Sequence, residues 1–221
     1  MNFIPAKESG FVTWFFDLYT RFLLRRRFRH VWIRQLYTPP ANRKTVYYLN
    51  HNSWWDGLIP LFLNRKLFSQ KARAMMEDKQ MIKYPFFRKL GAFSVNLENK
   101  RSVIRSLRYA LSSLEKPRAA LYIYPEGTIT PASQQKPDFQ QGLAWLAQKT
   151  KQTDFVPVAV YIHTLRHSKA ELYISIGNET VFDNSLNRKD LNNIFENEIH
   201  DLIKGTKEVA GFDDQGFRQI F

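Results

Sequence analysis

The order of its apolar runs constrains this chain most. After Pro39-Pro40, short β-branched and aromatic runs alternate with stretches of helical periodicity. Thr45–Leu49 predicts a buried strand, Trp54–Leu63 a helix despite Pro60, Ala72–Glu77 a second strand and Lys79–Lys89 a short helix. Phe93–Leu97 reads as a strand, Arg101–Leu114 as an amphipathic helix and Ala119–Tyr124 as the clearest strand of all. A loop rich in Pro, Ser and Gln, Thr130–Pro137, leads to a helix N-capped by Asp138 and ending near Thr150. Phe155–Ile162 and Leu172–Ile176 flank a polar turn as a hairpin, and Leu191–Ile203 is a final amphipathic helix. Such alternation predicts an α/β fold: a mostly parallel sheet flanked by helices, with an antiparallel edge pair late in the chain. With 221 residues, 44 % of them hydrophobic, there is enough chain for one full core. Residues 1–40 are read as a separate N-terminal segment and 41–221 as the domain proper.

The charge is the second constraint. Lys and Arg number 33 against 20 Asp and Glu, a net +13 that calls for an anionic partner: nucleic acid, membrane or a phosphorylated substrate. No acidic residue occurs from Leu18 to Trp55, where Arg21, Arg25, Arg26, Arg27, Arg29, Arg34, Arg43 and Lys44 fall. An aromatic segment, Phe11–Leu24, runs up to and into this cluster. As a helix it gathers Thr13, Asp17, Thr20 and Arg21 on one side and apolar residues over the rest. Asp17 and Arg21 interrupt it before the ~20 apolar residues of a membrane span, and a signal peptide would have the reverse order of charge and apolar run. Two readings stay open. One is an interfacial amphipathic helix, with Trp14, Phe15 and Phe22 at headgroup depth and Arg25, Arg26 and Arg27 on anionic lipid. The other is a core-packing helix with a solvated basic end. The breadth of the apolar face favours the first.

Two stretches carry chemistry, each just past the C-terminal end of a predicted strand, where open α/β sheets place their sites. In Asn50-His51-Asn-Ser-Trp-Trp-Asp56, a loop histidine can meet a carboxylate in the first turn of the next helix. An aspartate on one imidazole nitrogen fixes the tautomer and leaves the other nitrogen as a base. The plain alternative is a helix N-cap with an incidental histidine. In Tyr124-Pro-Glu126-Gly127-Thr128-Ile-Thr130, a carboxylate, a flexible backbone and a hydroxyl share one turn, which suits either a ligand grip or an ordinary turn. The chain has no cysteine, which excludes disulfides, thiolate nucleophiles and Cys-ligated zinc. No metal site is read: His163 and His167 have i, i+4 spacing but fall in the hairpin turn, and His30 and His200 have no evident partner. Walker, Gly-x-Gly-x-x-Gly and Gly-x-Ser-x-Gly motifs are missing from the sequence.

Taken together, His51-x4-Asp56 and Pro125-Glu126-Gly127-Thr128 resemble the signature of the PlsC-like glycerolipid acyltransferases. Met75–Val95 is similar to that family's second block, and Phe155-Val-Pro-Val-Ala-Val160 to its fourth. The aromatic, basic N-terminal helix resembles their membrane-docking helices. The resemblance spans roughly 40–180 and makes 41–221 an acyltransferase domain. It implies acyl transfer from acyl-CoA or acyl-carrier protein to a lipid hydroxyl, with no further cofactor. His51 would be the general base, Asp56 its orienting partner, and Glu126, Gly127, Thr128 and Asn50 the acceptor-positioning residues.

Two departures bear on the acceptor. Members acting on lysophosphatidate usually carry Arg where this chain has Ile129 and Leu97, and a planar cation is hard to replace at a phosphate. The acceptor expected is therefore not a simple phosphomonoester; a glycosylated lipid or carotenoid, or a lyso-aminolipid, fits. The alternative is 1-acylglycerol-3-phosphate acyltransfer. The row Arg101, Arg105, Arg108 reads as a solvated helix face or as a surface for the donor's phosphates or an acidic carrier protein. From other classes, an RNA-binding module and a catalytically silent lipid-binding relative compete. The arginines cluster beside an apolar helix instead of interleaving with aromatics on strands, so no nucleic-acid partner is expected. The expected location is peripheral, on the cytoplasmic face of the inner membrane.

Overall fold

The computed structural model describes residues 3–131 and 136–221, so the middle of the predicted 130–137 loop lies outside the described residues. Its strands are β1 (Val31–Gln35), β2 (Lys44–Leu49), β3 (Lys71–Glu77), β4 (Ala92–Val95), β5 (Ala119–Ile123), β6 (Thr153–His163), β7 (Glu171–Ile176) and β8 (Arg218–Gln219). The helices are α1 (Gly10–Arg27), α2 (Ile59–Leu63), α3 (Asp78–Lys83), α4 (Lys100–Leu114), α5 (Gly142–Lys149) and α6 (Arg188–Val209). All strands join one sheet in the order β4–β3–β5–β2–β6–β7–β1–β8. From β4 to β6 every pairing is parallel; β6 and β7 pair antiparallel, and β7 and β1 are again parallel.

The central strands are buried throughout. In β2 and β5 nearly every side chain is covered, which is why they read as unbroken apolar runs instead of alternating ones. One face packs Leu24 of α1 and Phe28 just after it, Ile59, Phe62 and Leu63 of α2, and Tyr47 of β2 into a single cluster. The other packs α4, α5 and α6, through Leu107, Leu143 and Phe195 among others, against Val46, Tyr48 and Phe155. Each such large side chain contributes about 1.5–3 kcal/mol on burial, so two filled faces fix the order of the layers. Pro157, which would break a ladder inside β6, sits just where pairing to β7 begins, at Val158↔Ile176.

Several elements depart from the sequence expectation, each for a local reason. The helix expected over Trp54–Leu63 is a 3₁₀ turn, Trp54–Gly57, followed by α2 with Pro60 in its first turn and a π turn, Asn64–Phe68. Pro85 likewise divides the expected Lys79–Lys89 helix into α3 and the 3₁₀ segment Pro85–Leu90. Asp138 is not the cap of α5: Phe139 N–H donates to Glu196 and Gln140 N–H to the Pro125 carbonyl, so the helix begins only at Gly142, after Gln141. The antiparallel hairpin is not at the sheet's edge, because β1 and β8 lie beyond β7. β1 lies within the 1–40 segment that the sequence reading set apart, so part of that segment is sheet.

α1 is oriented opposite to a core helix. Its buried residues are Asp17, Thr20 and Leu24. Phe11, Trp14, Phe15, Leu18, Tyr19 and Phe22 are instead 44–73 % exposed. Asp17 is held by Arg21 at 3.0 Å and faces Arg65 at 3.7 Å, and Phe16 stacks on Phe86 with ring centroids 4.4 Å apart. Arg25, Arg26 and Arg27 fill the last turn, where cations suit the helix dipole. No helix among the described residues is long and apolar enough to cross a membrane.

Candidate active site

The site follows from strand register. β2 and β5 are parallel neighbours with Tyr48 opposite Ile123, and continuing that register past the strand ends sets His51 beside Glu126. The two stretches singled out in the sequence therefore meet. His51 N–H donates to Glu126 Oε1 at 2.8 Å, Thr130 N–H donates to the His51 carbonyl at 2.8 Å, and the Thr130 hydroxyl donates to the other Glu126 oxygen. Asn50, buried, clasps the Val160 backbone with both ends of its amide, at 3.0 and 2.8 Å, and so extends the sheet past Leu49. Backbone pairing is thus replaced by side-chain pairing just where the chain leaves the sheet.

His51 Nδ1 lies 2.7 Å from Asp56 Oδ2. The same oxygen accepts from Asn52 N–H at 2.8 Å and Ser53 N–H at 2.9 Å, while Oδ1 accepts from the Ser53 hydroxyl at 3.0 Å. Ser53 and Asp56 form a capping box on the 3₁₀ turn, so the carboxylate that caps the turn is the same one that meets His51. The Asp56 side chain is 1 % exposed and that of His51 25 %. A charged acceptor beside Nδ1 makes that nitrogen the N–H donor and leaves Nε2 as the lone-pair nitrogen. Tyr124 holds the dyad from below: its ring is 4.7 Å from the imidazole and its hydroxyl donates to the Asp56 carbonyl at 2.6 Å. Burial, with the Asp56 charge adding to it, pushes the Tyr124 phenol well above its ordinary pKa, so it stays a donor.

The remaining sequence candidates fall in different places. Gly127 has φ +74°, and a Cβ there would come within 3.1 Å of Leu97 Cδ1, so the turn demands glycine. Thr128 and Ile129 are exposed; the threonine that ties the loop together is Thr130. Arg101, Arg105 and Arg108 form a solvent-facing row on α4 that starts at the site's end of the sheet. At 1.5 Å per residue, Arg108 is about 10 Å farther along than Arg101. The sequence reading missed Asn52, Ser53 and Thr130, whose backbone amides and side chains tie the two loops together through contacts that no motif of residue types marks. It also missed a cavity of about 230 Å³ next to the loop, lined by Asn50, Asn52, Glu126, His200, Lys204 and Lys207 among others.

Among the described residues one group could hold a metal ion: His30, His167 and Glu171, with ligand atoms within 4.8 Å of one another. Glu171 is already engaged by Arg166 and by the Trp32 indole N–H, so a cation there would have to displace a guanidinium. His163 ends β6 and is partly covered, and burial lowers its pKa. His167 is exposed in the turn.

No functionally curated protein matches the chain at significant similarity. A solved structure with the same fold is the 1-acyl-sn-glycerophosphate acyltransferase PlsC from Thermotoga maritima: TM-score 0.61, 15 % identity, covering 91 % of this chain and 81 % of that one. The family model described as Acyltransferase matches residues 11–161, which include the His51–Asp56 dyad and the Glu126 turn. With that match over more than half its length, the chain belongs to the acyltransferase family.

Proposed function

We propose that the protein moves a fatty acyl group from an acyl thioester, acyl-CoA or acyl-carrier protein, to a hydroxyl of a lipid acceptor. The observation that carries this reading is the 2.7 Å His51 Nδ1–Asp56 contact at the end of a central strand. Nε2 takes the acceptor's hydroxyl proton as that oxygen attacks the thioester carbonyl, and Asp56 stabilises the imidazolium that forms. The tetrahedral adduct then expels the thiolate, which recovers the proton from His51. Transfer is direct, with no acyl-enzyme. Glu126, Asn50, Gly127 and Thr130 act as positioning residues that fix the loop carrying His51.

The acceptor side is apolar where lysophosphatidate enzymes carry arginine. Leu97 and Ile129 are 44 % and 62 % exposed, and Leu97 packs against Gly127. A glycosylated lipid or carotenoid, or a lyso-aminolipid, suits that edge. Acyl transfer to 1-acylglycerol 3-phosphate is the second reading, favoured by the lysines that line the neighbouring cavity. An acceptor panel with one acyl donor decides between them. The first reading expects a neutral or zwitterionic acceptor to turn over fastest, and turnover of lysophosphatidate well above all others overturns it.

The outward aromatic face of α1, ending in three arginines, supports peripheral binding to an anionic membrane. The site then opens beside the leaflet that holds the acceptor. The cytoplasmic face of the inner membrane is the location this reading proposes.

A further inference from the structure

The cavity beside the catalytic loop has two unlike walls. One is the loop itself, through Asn50, Asn52, Glu126 and Thr130; the other is one side of α6, through His200, Lys204 and Lys207. Its acidic members are Glu126 and Glu208. The Glu126 carboxylate is occupied by the His51 amide and the Thr130 hydroxyl, and Glu208 is exposed. Lys207 is partly buried over the Tyr161 ring at 5.9 Å, and burial lowers its pKa. Lys204 stands one turn earlier, exposed, with no carboxylate within ion-pair distance among the described residues. Two lysines three residues apart on one helix side put two ammonium groups on one wall of the cavity, and a bound anion would offset both their mutual repulsion and the partial burial of Lys207.

On the opposite flank of the loop, Leu97 and Ile129 offer no cation at all. The cations that line the cavity itself are therefore those of α6.

We propose that this cavity is a phosphate subsite, in which Lys204 and Lys207 bind the phosphate of a phosphorylated substrate and so fix which end of it lies away from His51. Phosphate is the common chemistry of two sources, the nucleotide end of an acyl-CoA donor and a phosphorylated lipid acceptor. The proposal rests on the acyl-transfer reading only for the choice of these ligands.

Binding tests it without turnover. Calorimetric titration of the full chain uses two probes, CoA for the donor and sn-glycerol 3-phosphate for the acceptor. The proteins are the wild type, H51A, K204Q/K207Q, K204R/K207R and, as control for the competing arginine row, R101Q/R105Q. At least one probe is expected to bind the wild type and H51A alike, about tenfold or more weaker to K204Q/K207Q and close to normally to K204R/K207R. CoA binding identifies the donor as the source, and glycerol 3-phosphate binding the acceptor. Equal thermal melting of the variants shows that the loss is local. No binding of either probe to the wild type overturns the proposal, as does binding unaffected by K204Q/K207Q or lost instead in R101Q/R105Q. Lysine-dependent binding by a protein that transfers no acyl group would leave the subsite standing and refute the catalytic reading.

Discussion

Replacing Asp56 by asparagine separates what the carboxylate does for the fold from what it does for His51. The asparagine carbonyl can still accept from the Asn52 and Ser53 amides, which now lie 2.8 and 2.9 Å from Oδ2, and its NH2 can face the Ser53 hydroxyl. The loop keeps its shape and loses charge-assisted hydrogen bonds, a cost of about 1–2 kcal/mol. For a chain of 221 residues that lowers the melting midpoint by only roughly 2–8 °C. The imidazolium, however, loses its counter-charge, because the neutral carbonyl that takes the place of Oδ2 beside Nδ1 carries none. Acyl transfer should fall by about 10²–10⁴, the range of a positioned general base. Asp56→Ala should be worse for stability, because two partly buried amides lose their acceptor, at up to about 1–3 kcal/mol each. The assay is kcat/KM for thioester-dependent acyl transfer, with melting on the same samples. Asp56→Asn within about threefold of wild type would refute the dyad, and a rate loss that merely tracks unfolding would reduce Asp56 to a cap.

Other consequences follow from particular contacts. Gly127→Ala adds a Cβ at φ +74° within 3.1 Å of Leu97, so it should cost about 1–2 kcal/mol, seen as a lower melting midpoint. Leu97→Ala should recover part of that loss. Burial disfavours the charge of Glu171 and of Asp214. Hydrogen bonds from Arg166 and Trp32 to the first, and from Tyr173 and Arg166 to the second, outweigh it, so both pKa values lie below the ordinary carboxylate value. Their contribution is therefore complete above the unfolded carboxylate pKa and is lost as pH falls through the lower folded values. Melting midpoints should drop on acidification, and Arg166→Ala should be less stable near neutrality with a shallower acid decline. Trp14→Ser, Phe15→Ser and Phe22→Ser together should leave melting unchanged and abolish co-flotation with anionic vesicles. Retained flotation would reject α1 as the docking element.

The legible part of the fold was the part written in unbroken apolar runs. β2, β5, β6 and β7 all sit where their buried sequences place them, and the parallel register then brings His51 to Glu126. β1 escaped notice because Val31–Gln35 is brief and lies among arginines, and its partner β7 is far along the chain. The helix starts failed where tertiary hydrogen bonds took the amides, as Glu196 does at Phe139. Periodicity found the two faces of α1 but not which one faces the protein. That is decided by Arg65 reaching toward Asp17 and by Phe86 under Phe16, both contributed from elsewhere in the sequence. In the site, the His51–Asp56 pairing was readable from spacing, whereas the cavity wall from α6 depends on packing that no local pattern encodes.

In the proposed reaction His51, held by Asp56, activates an acceptor hydroxyl for direct attack on a thioester. Thiol release from acyl-CoA, or from acyl-carrier protein, by purified wild type and His51→Ala in lipid vesicles tests it most directly. Release should require a lipid acceptor, leave no acyl group on the protein, and fall by about 10²–10⁴ in His51→Ala with unchanged melting. Equal release by the two proteins, or a stable acyl-protein adduct, would contradict it.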